Sequence, residues 1–198
     1  MNHEKILSLT AKLQSVLKGE NKRYVHSVAV ANTAMCLAAR HGVDLEKAYI
    51  AGLLHDNAKC IDYDLQIKMC RNMFVELTDF ELENPYLIHG KLGAYLLKTD
   101  FGIDDRSMSE AVKWHTTGKP AMNKLESIVF IADYIEPMRH RAVNIDDIRV
   151  LAFDDLTAAV KQILSDTIRV LKENNRPVDP VAFKAYEYYN GINDTNIN

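Results

Sequence analysis

The chain is expected to fold as an all-α domain, and three observations lead there. Apolar residues recur at helical spacing along nearly its whole length. Alternating, strand-like runs are nearly absent, and the glycines and prolines read as punctuation between the periodic segments. Residues 3–18 put Ile6, Leu9, Leu13, Val16 and Leu17 on one face, and Gly19 stops them. A second helix covers 21–40, with Val25, Val28, Ala29, Asn32, Met35, Cys36 and Ala39 near one side, and Gly42 ends it. Asp44 caps a third, which runs through AYIAGLLHD; it is apolar nearly all round and should be central and buried. Residues 63–83 predict one or two shorter helices. Pro85 suits the first turn of a helix over 86–98, closed near Gly102, and Asp104 or Asp105 caps another over 106–115. TTGKP (116–120) predicts a loop, and an apolar helix over 123–136 ends at Pro137. The longest helix is expected over 146–174, with Ile148, Leu151, Ala152, Ala159, Ile163, Thr167, Val170 and Leu171 inward. Pro180 opens a last helix, and the polar tail 191–198 should fray.

Composition narrows the function classes. With 198 residues, 47% hydrophobic and 26% charged, one compact domain over 1–198 is the default. A net charge of −3 argues against a broad basic surface for nucleic acid but leaves room for a local cationic pocket. No run approaches the ~18 apolar residues of a membrane helix. The N-terminal MNHEKILSLTAKLQ carries acid as well as base and lacks the long apolar stretch of a secretory signal, so a cytoplasmic location is expected. The three cysteines, Cys36, Cys60 and Cys70, form no CxxC pair, which indicates neither a disulfide framework nor a cysteine zinc site. There is no GxxxxGK[ST] loop, no GxSxG elbow and no GxGxxG.

The chemistry concentrates in His26, His55, His89 and His115, each on or at the end of a different predicted helix, with Asp56 directly after His55. Asp133 lies within SIVFIADYIEP, another apolar helix, and no Arg or Lys sits one turn away to pair with it. Any one of these side chains alone reads as a hydrogen-bonded core group. Together they are six potential N/O donors, two of them carboxylates that burial would otherwise penalise, and a divalent metal with neutral histidines answers that cost. His3, His41 and His140 are expected at the surface.

Four strings carry a resemblance: RYVHSVAVANTAMCLAARHGVD, AGLLHDNAK, LIHGKLGAYLL and WHTTGKPAMNKLESIVFIADYIEPMR. The order His … His-Asp … Asp resembles the HD-domain metal-dependent phosphohydrolases. The four strings, covering about residues 20–170, are similar to the bacterial YqeK-type branch of symmetrical diadenosine tetraphosphate hydrolases. That resemblance implies two metals. The first would be held by His26, His55, Asp56 and Asp133. The second would be held by His89 and His115, with Asp56 bridging. Iron is the metal that the branch implies, though manganese and other divalent ions suit the same donors. A metal-bridging hydroxide would cleave the tetraphosphate at its centre into two ADP.

Around those ligands, Lys59 one turn after the His-Asp pair is expected to stabilise charge on phosphate, and Arg23 and Arg139 to clamp it. Thr116, Thr117 and Gly118 offer loop donors, and Tyr134 or Tyr63 a stacking face. Each also has a plainer reading as a solvated cation, a turn or core packing. Three rivals stay open: a nucleotide phosphatase or deoxynucleotide triphosphohydrolase, a di-iron oxygenase with a similar ligand set, and a nucleotide sensor without turnover. The expected partner is a nucleotide, with no nucleic acid and no membrane; a homodimer stays open.

Overall fold

The computed structural model describes residues 2–140 and 142–191, and all of their regular structure is helical. Eleven α-helices follow in chain order: α1 His3–Val16, α2 Asn21–His41, α3 Leu45–Leu54, α4 Tyr63–Asn72, α5 Asp79–Glu83, α6 Ile88–Thr99, α7 Arg106–Trp114, α8 Lys124–Ile135, α9 Ile145–Asp154, α10 Leu156–Glu173 and α11 Pro180–Gly191. A single 3₁₀ turn, Pro85–Leu87, leads into α6. The helix starts are chemically explicit. Asp44, Asp62, Asp105 and Asp155 each accept backbone N–H groups of the turn they open. Thr78 with Glu81, and Asn123 with Glu126, form reciprocal capping boxes. Gly42 closes α2 in the left-handed region, at φ 70°.

The long helix expected over 146–174 is two helices. Asp155 leaves the helical conformation at φ −137°, ψ 106°, and its carboxylate caps Thr157 and Ala158. The break resets the helical phase of α10 relative to α9. The buried face of α10 is Leu156, Ala159, Val160, Ile163, Leu164 and Ile168, while Thr167 is exposed. The helical turns over 63–83 resolve into α4 and α5. Of the tail expected to fray, 192–198 lie outside the described residues, and Gly191 ends α11.

The core gathers where α3 and α8 are hidden by α2, α7, α9 and α10. In α3, Ala48 and every residue from Ile50 to Leu54 is buried, as the apolar run predicts. In α8 every residue from Leu125 to Ala132 is buried, together with Ile135. Leu37, Leu53, Leu54, Ile128 and Ile131 are fully enclosed, each contributing roughly 1.5–3 kcal/mol of apolar burial.

Three glycines act inside helices rather than between them, and two set the geometry of the site. A Cβ on Gly52 would lie 3.0 Å from the Ala31 Cα and 3.1 Å from the Val30 carbonyl, so α2 and α3 touch backbone to backbone there. A Cβ on Gly90 would lie 2.8 Å from the Lys113 carbonyl oxygen, so α6 and α7 do the same. These close approaches bring His26 of α2 to His55 at the end of α3, and His89 of α6 to His115 at the end of α7. A side chain at either glycine would pry one histidine pair apart.

Candidate metal centre

Five helices deliver six side chains to one point. His26 lies in the second turn of α2; His55 is the C-cap of α3, and Asp56 follows it. His89 opens α6 just after the 3₁₀ turn, His115 is the C-cap of α7, and Asp133 lies near the end of α8. His26 Nε2 stands 3.2 Å from His55 Nε2 and 3.1 Å from Asp133 Oδ1. His89 Nε2 stands 3.1 Å from His115 Nε2. Asp56 faces both histidine pairs: Oδ2 is 3.7 Å from His55 Nε2, while Oδ1 is 3.2 Å from His89 Nε2 and 3.5 Å from His115 Nε2. Three overlapping triads have all their donor atoms within 4.8 Å of one another: His26–His55–Asp56, His55–His115–Asp133 and Asp56–His89–His115.

The hydrogen bonds behind the rings settle which nitrogen is free. The Nδ1–H groups of His55, His89 and His115 donate to the carbonyls of Gly52, Tyr86 and Val112, each at 2.7 Å and each three residues earlier. A carbonyl only accepts, so the proton is on Nδ1 and the Nε2 lone pair is left to accept, as it does from the Lys59 ammonium at His89 and the Thr116 hydroxyl at His115. Helix ends and the 3₁₀ turn leave those carbonyls available. His26 sits inside a helix whose carbonyls are taken, and its partner is remote: Nδ1 lies 3.3 Å from Glu136 Oε1, at the C-cap of α8. All four Nε2 atoms therefore turn lone pairs toward the two aspartates. Buried Asp56 Oδ1 has no hydrogen-bond partner. Imidazole lone pairs about 3 Å apart around an orphaned carboxylate oxygen repel; the Lys59 ammonium answers this at His89, and a further cation among the rings would answer it for the others. The donor set of imidazole and carboxylate fits a divalent ion.

Glu136 and Lys22 are residues of which the sequence itself offers no sign; Glu136 lies behind the cluster and Lys22 on its rim. Glu136 is buried, its Oε2 accepts the Met138 N–H at 2.6 Å, and its Oε1 orients His26. A carboxylate behind a ligating imidazole fixes the ring and raises its basicity. Glu136→Gln cannot accept from both neighbours, because its amide nitrogen only donates. Metal affinity measured by chelator competition is expected to fall about 10–100-fold, while folding, followed by circular dichroism, is retained. An affinity equal to wild type would reject the orienting role.

Electrostatics hold His55, His89 and Asp133 in the forms that could bind a metal, whereas His26 is drawn toward its protonated form. Burial pushes His55 down to about 4 and lowers His89. Burial also opposes the charge on His26, but Asp133, Asp56 and Glu136 outweigh it and raise that ring. For Asp133, burial is overcome by His26, His55 and Arg139, which hold the carboxyl well below the usual range. Burial depresses the Lys59 ammonium, though Asp56 and Asp133 favour its charge. The His55 shift has a stability consequence for protein stripped of metal. Unfolded, this imidazole takes its proton near pH 6.5; folded, only near pH 4. Stability is therefore complete above about pH 6.5 and falls as the pH drops toward 4. The shift is worth about 3 kcal/mol at ~1.4 kcal/mol per pH unit, with His26 opposing part of it. Urea midpoints of the chelated protein at pH 7 and pH 4.5 test this; a higher midpoint at pH 4.5 would reject it.

The centre opens into a cleft lined by Lys22, Arg23, Lys59, Thr116 and Arg139. Lys59 Nζ lies 3.0 Å from His89 Nε2 and 3.8 Å from Asp56 Oδ1, and Arg23 lies 3.8 Å from Asp56 Oδ2. Thr116 Oγ1 is 3.0 Å from His115 Nε2. Arg139 meets Asp133 Oδ1 at 2.8 Å, so the expectation that Asp133 has no local cation is corrected: past Pro137 the chain turns back, Arg139 N–H donating to the Glu136 carbonyl. Lys22 completes a rim of four cations suited to a polyanion.

Other expected contacts face elsewhere. The Thr117 hydroxyl donates to the Gly118 carbonyl, and the Gly118 N–H donates to Trp114. A Cβ at Gly118, whose φ is 64°, would meet Met122, Phe130 and Leu164 rather than the metal cleft. Tyr134 donates to the Val143 carbonyl and lines a separate cleft with Thr167 and Val170, while Tyr63 is exposed on α4. His3 and His140 are at the surface, whereas His41 is half-buried, with its ring nitrogen 2.7 Å from the Ala152 carbonyl. Asn57 is buried and donates to the Leu54 and Gly93 carbonyls, tying α3 to α6. Among the described residues, no helix is long and apolar enough to cross a membrane.

Comparison with known proteins places this geometry. A family model described as HD domain matches residues 23–138, a segment holding all six converging side chains. A Bacillus subtilis (strain 168) protein named "Bis(5'-nucleosyl)-tetraphosphatase, symmetrical" is 40% identical over 168 residues, covering 84% of this chain and 88% of that one. A Staphylococcus aureus (strain NCTC 8325 / PS 47) protein of the same name is 35% identical over 198 residues, 96% of this chain and 95% of its own length. The crystal structure of a Clostridium acetobutylicum protein, described as a "predicted HD superfamily hydrolase involved in NAD metabolism", is similar at 39% identity and a TM-score of 0.89. It covers 93% of this chain and 96% of that one. Since the family match spans more than half of the sequence and the relatives align along nearly their whole lengths, the chain belongs to the HD-domain family.

Proposed function

We propose that this protein is a metal-dependent hydrolase that cleaves dinucleoside tetraphosphates symmetrically, converting diadenosine tetraphosphate and water to two ADP. The observation that carries the reading is four inward Nε2 lone pairs and two aspartates beneath a rim of four cations, in a chain whose relatives bear that activity in their names. His26, His55, Asp56 and Asp133 would hold one divalent ion, and His89 and His115 a second, with Asp56 shared. The facing of Asp56 Oδ1 and Oδ2 toward different histidines supports the sharing. Iron is the metal inferred, and the cytoplasm the location. Ions so held supply Lewis-acid charge to phosphate oxygens and acidify water.

The chain's own groups do the rest. Asp56 and the four histidines, each ring held from behind, fix where the reacting phosphorus can lie. Lys59 offers its ammonium to the charge that builds on the phosphate oxygens, and Arg23 and Arg139 grip the chain of phosphates on either side. Thr116 offers a hydroxyl from the same rim. In the reaction a water oxygen bonds to one of the two central phosphorus atoms, and the bridging P–O bond between them breaks. The departing ADP keeps the bridging oxygen, and the water's proton is released.

Turnover in heavy-oxygen water tests the register. ADP should be the only nucleotide product, with label in one molecule of each pair. AMP with ATP would place the cut elsewhere, and phosphate released from a mononucleotide alone would make the protein a nucleotide phosphatase. Turnover that requires molecular oxygen would make it an oxygenase, and tight binding with no product a sensor.

A further inference from the structure

A second cleft shares His26 with the first, and its surface is more apolar. Val25 and Met138, which are 42% and 59% exposed, line it together with Asn21, Lys22, His26 and Glu136. Two of its lining residues, Lys22 and His26, also line the metal cleft, so the two spaces adjoin. The arrangement comes from the helix repeat. Lys22 and His26 are four apart on α2 and form one stripe; Asn21 and Val25, also four apart, form the stripe beside it. One face of a single helix thus sets a cation and a metal ligand next to an amide and an apolar wall. Met138 lines the same cleft as Val25, and its backbone is pinned by its N–H bond to Glu136, the same carboxylate that orients His26.

We infer that this cleft is the adenine subsite: Val25 and Met138 enclose the faces of one base, the Asn21 amide meets its edge, and Lys22 spans from nucleoside to phosphates. The inference rests on the hydrolase reading above and names its substrate contact. Apolar walls with one polar reader are the usual chemistry of a small-molecule pocket. An Asn amide offers a donor and an acceptor together, the complement of adenine N7 and the 6-amino group; guanine presents two acceptors there. Met adapts its shape to a flat ring. Both wall residues stand out in solvent, where apolar side chains gain nothing until a ligand covers them.

The test compares steady-state rates on diadenosine and diguanosine tetraphosphate, using metal-loaded wild type, the double variant Val25→Ser with Met138→Ser, and Asn21→Ala. The double variant should raise KM for the diadenosine substrate at least ~10-fold with a smaller change in kcat. Asn21→Ala should cut the adenine-over-guanine ratio of kcat/KM about 10-fold, the size of one lost base-edge pair. Metal content measured alongside must match wild type, which separates a base contact from disturbance of the Glu136–His26 pair. An unchanged KM in the double variant, or an unchanged base ratio in Asn21→Ala, overturns the subsite while leaving the hydrolase reading intact. A wild type that makes no ADP from diadenosine tetraphosphate overturns that reading and the subsite with it.

Discussion

Asp56→Ala is expected to leave the protein folded, strip it of metal and lower hydrolysis of diadenosine tetraphosphate by roughly 10⁴-fold or more. A metal's several kcal/mol of charge stabilisation convert to at least that factor. The expectation comes from position. Among the described residues, Asp56 is the one carboxylate whose two oxygens face different histidine pairs, and its Oδ1 has no hydrogen-bond partner. Its removal would leave four imidazoles with only Asp133 to balance an ion's charge. Folding should survive, because the side chain makes no hydrogen bond on which a helix depends. His41→Ala is the matched control. It loses one hydrogen bond to the Ala152 carbonyl, far from the cluster, and should keep both metal and activity. Elemental analysis beside the rate assay decides: metal retained by Asp56→Ala, or metal lost equally by both variants, would sink the ligand assignment.

Lys59→Met should act differently, keeping the metal and losing rate. Methionine fills much of the same volume and removes the charge. Lys59 Nζ lies 3.0 Å from His89 Nε2 and 3.8 Å from Asp56 Oδ1, so its positive charge competes with a cation at those atoms rather than helping to hold one. Metal affinity is therefore expected to stay level or rise. The rate should fall ~10²-fold or more, the size typical for removing one group that stabilises charge in the transition state. The loss should fall mainly on kcat, because the charge matters most when it builds. A variant with wild-type kcat would make Lys59 a plain helix-end cation, and a variant that loses metal would make it part of the support of His89.

These two residues also show how far local sequence signals reach. Lys59 comes three residues after Asp56 in HDNAK, and its placement beside the carboxylate was legible because one turn of chain brings them together. The six converging side chains were legible for a different reason: histidine and aspartate inside apolar helices are costly unless they share a partner. Glu136 carried no such local mark. It ends an apolar helix just before a proline, and its partner His26 is 110 residues away. Arg139 looked unpaired with Asp133 because the expectation stopped at one helical turn, whereas the chain reverses after Pro137.

Hydrophobic period and capping residues, which are properties of neighbouring residues, were enough by themselves to determine an all-α chain, while the four strings carrying His … His-Asp … Asp pointed to this family and to the six side chains that the fold brings together. The break at Asp155 could have been read too: an Asp before Leu-Thr-Ala-Ala is a helix start, and the apolar rhythm across it concealed the change of phase. What only the tertiary structure decided is which backbone meets which. Gly52 and Gly90 let α2 touch α3 and α6 touch α7, and without those approaches the histidine pairs would stand apart. Nor could spacing say that Tyr134 turns toward Val143 while Val25 and Met138 come together beside His26. Side-chain direction depends on how helices from distant parts of the chain pack, and packing is a property of the whole core rather than of any window along it.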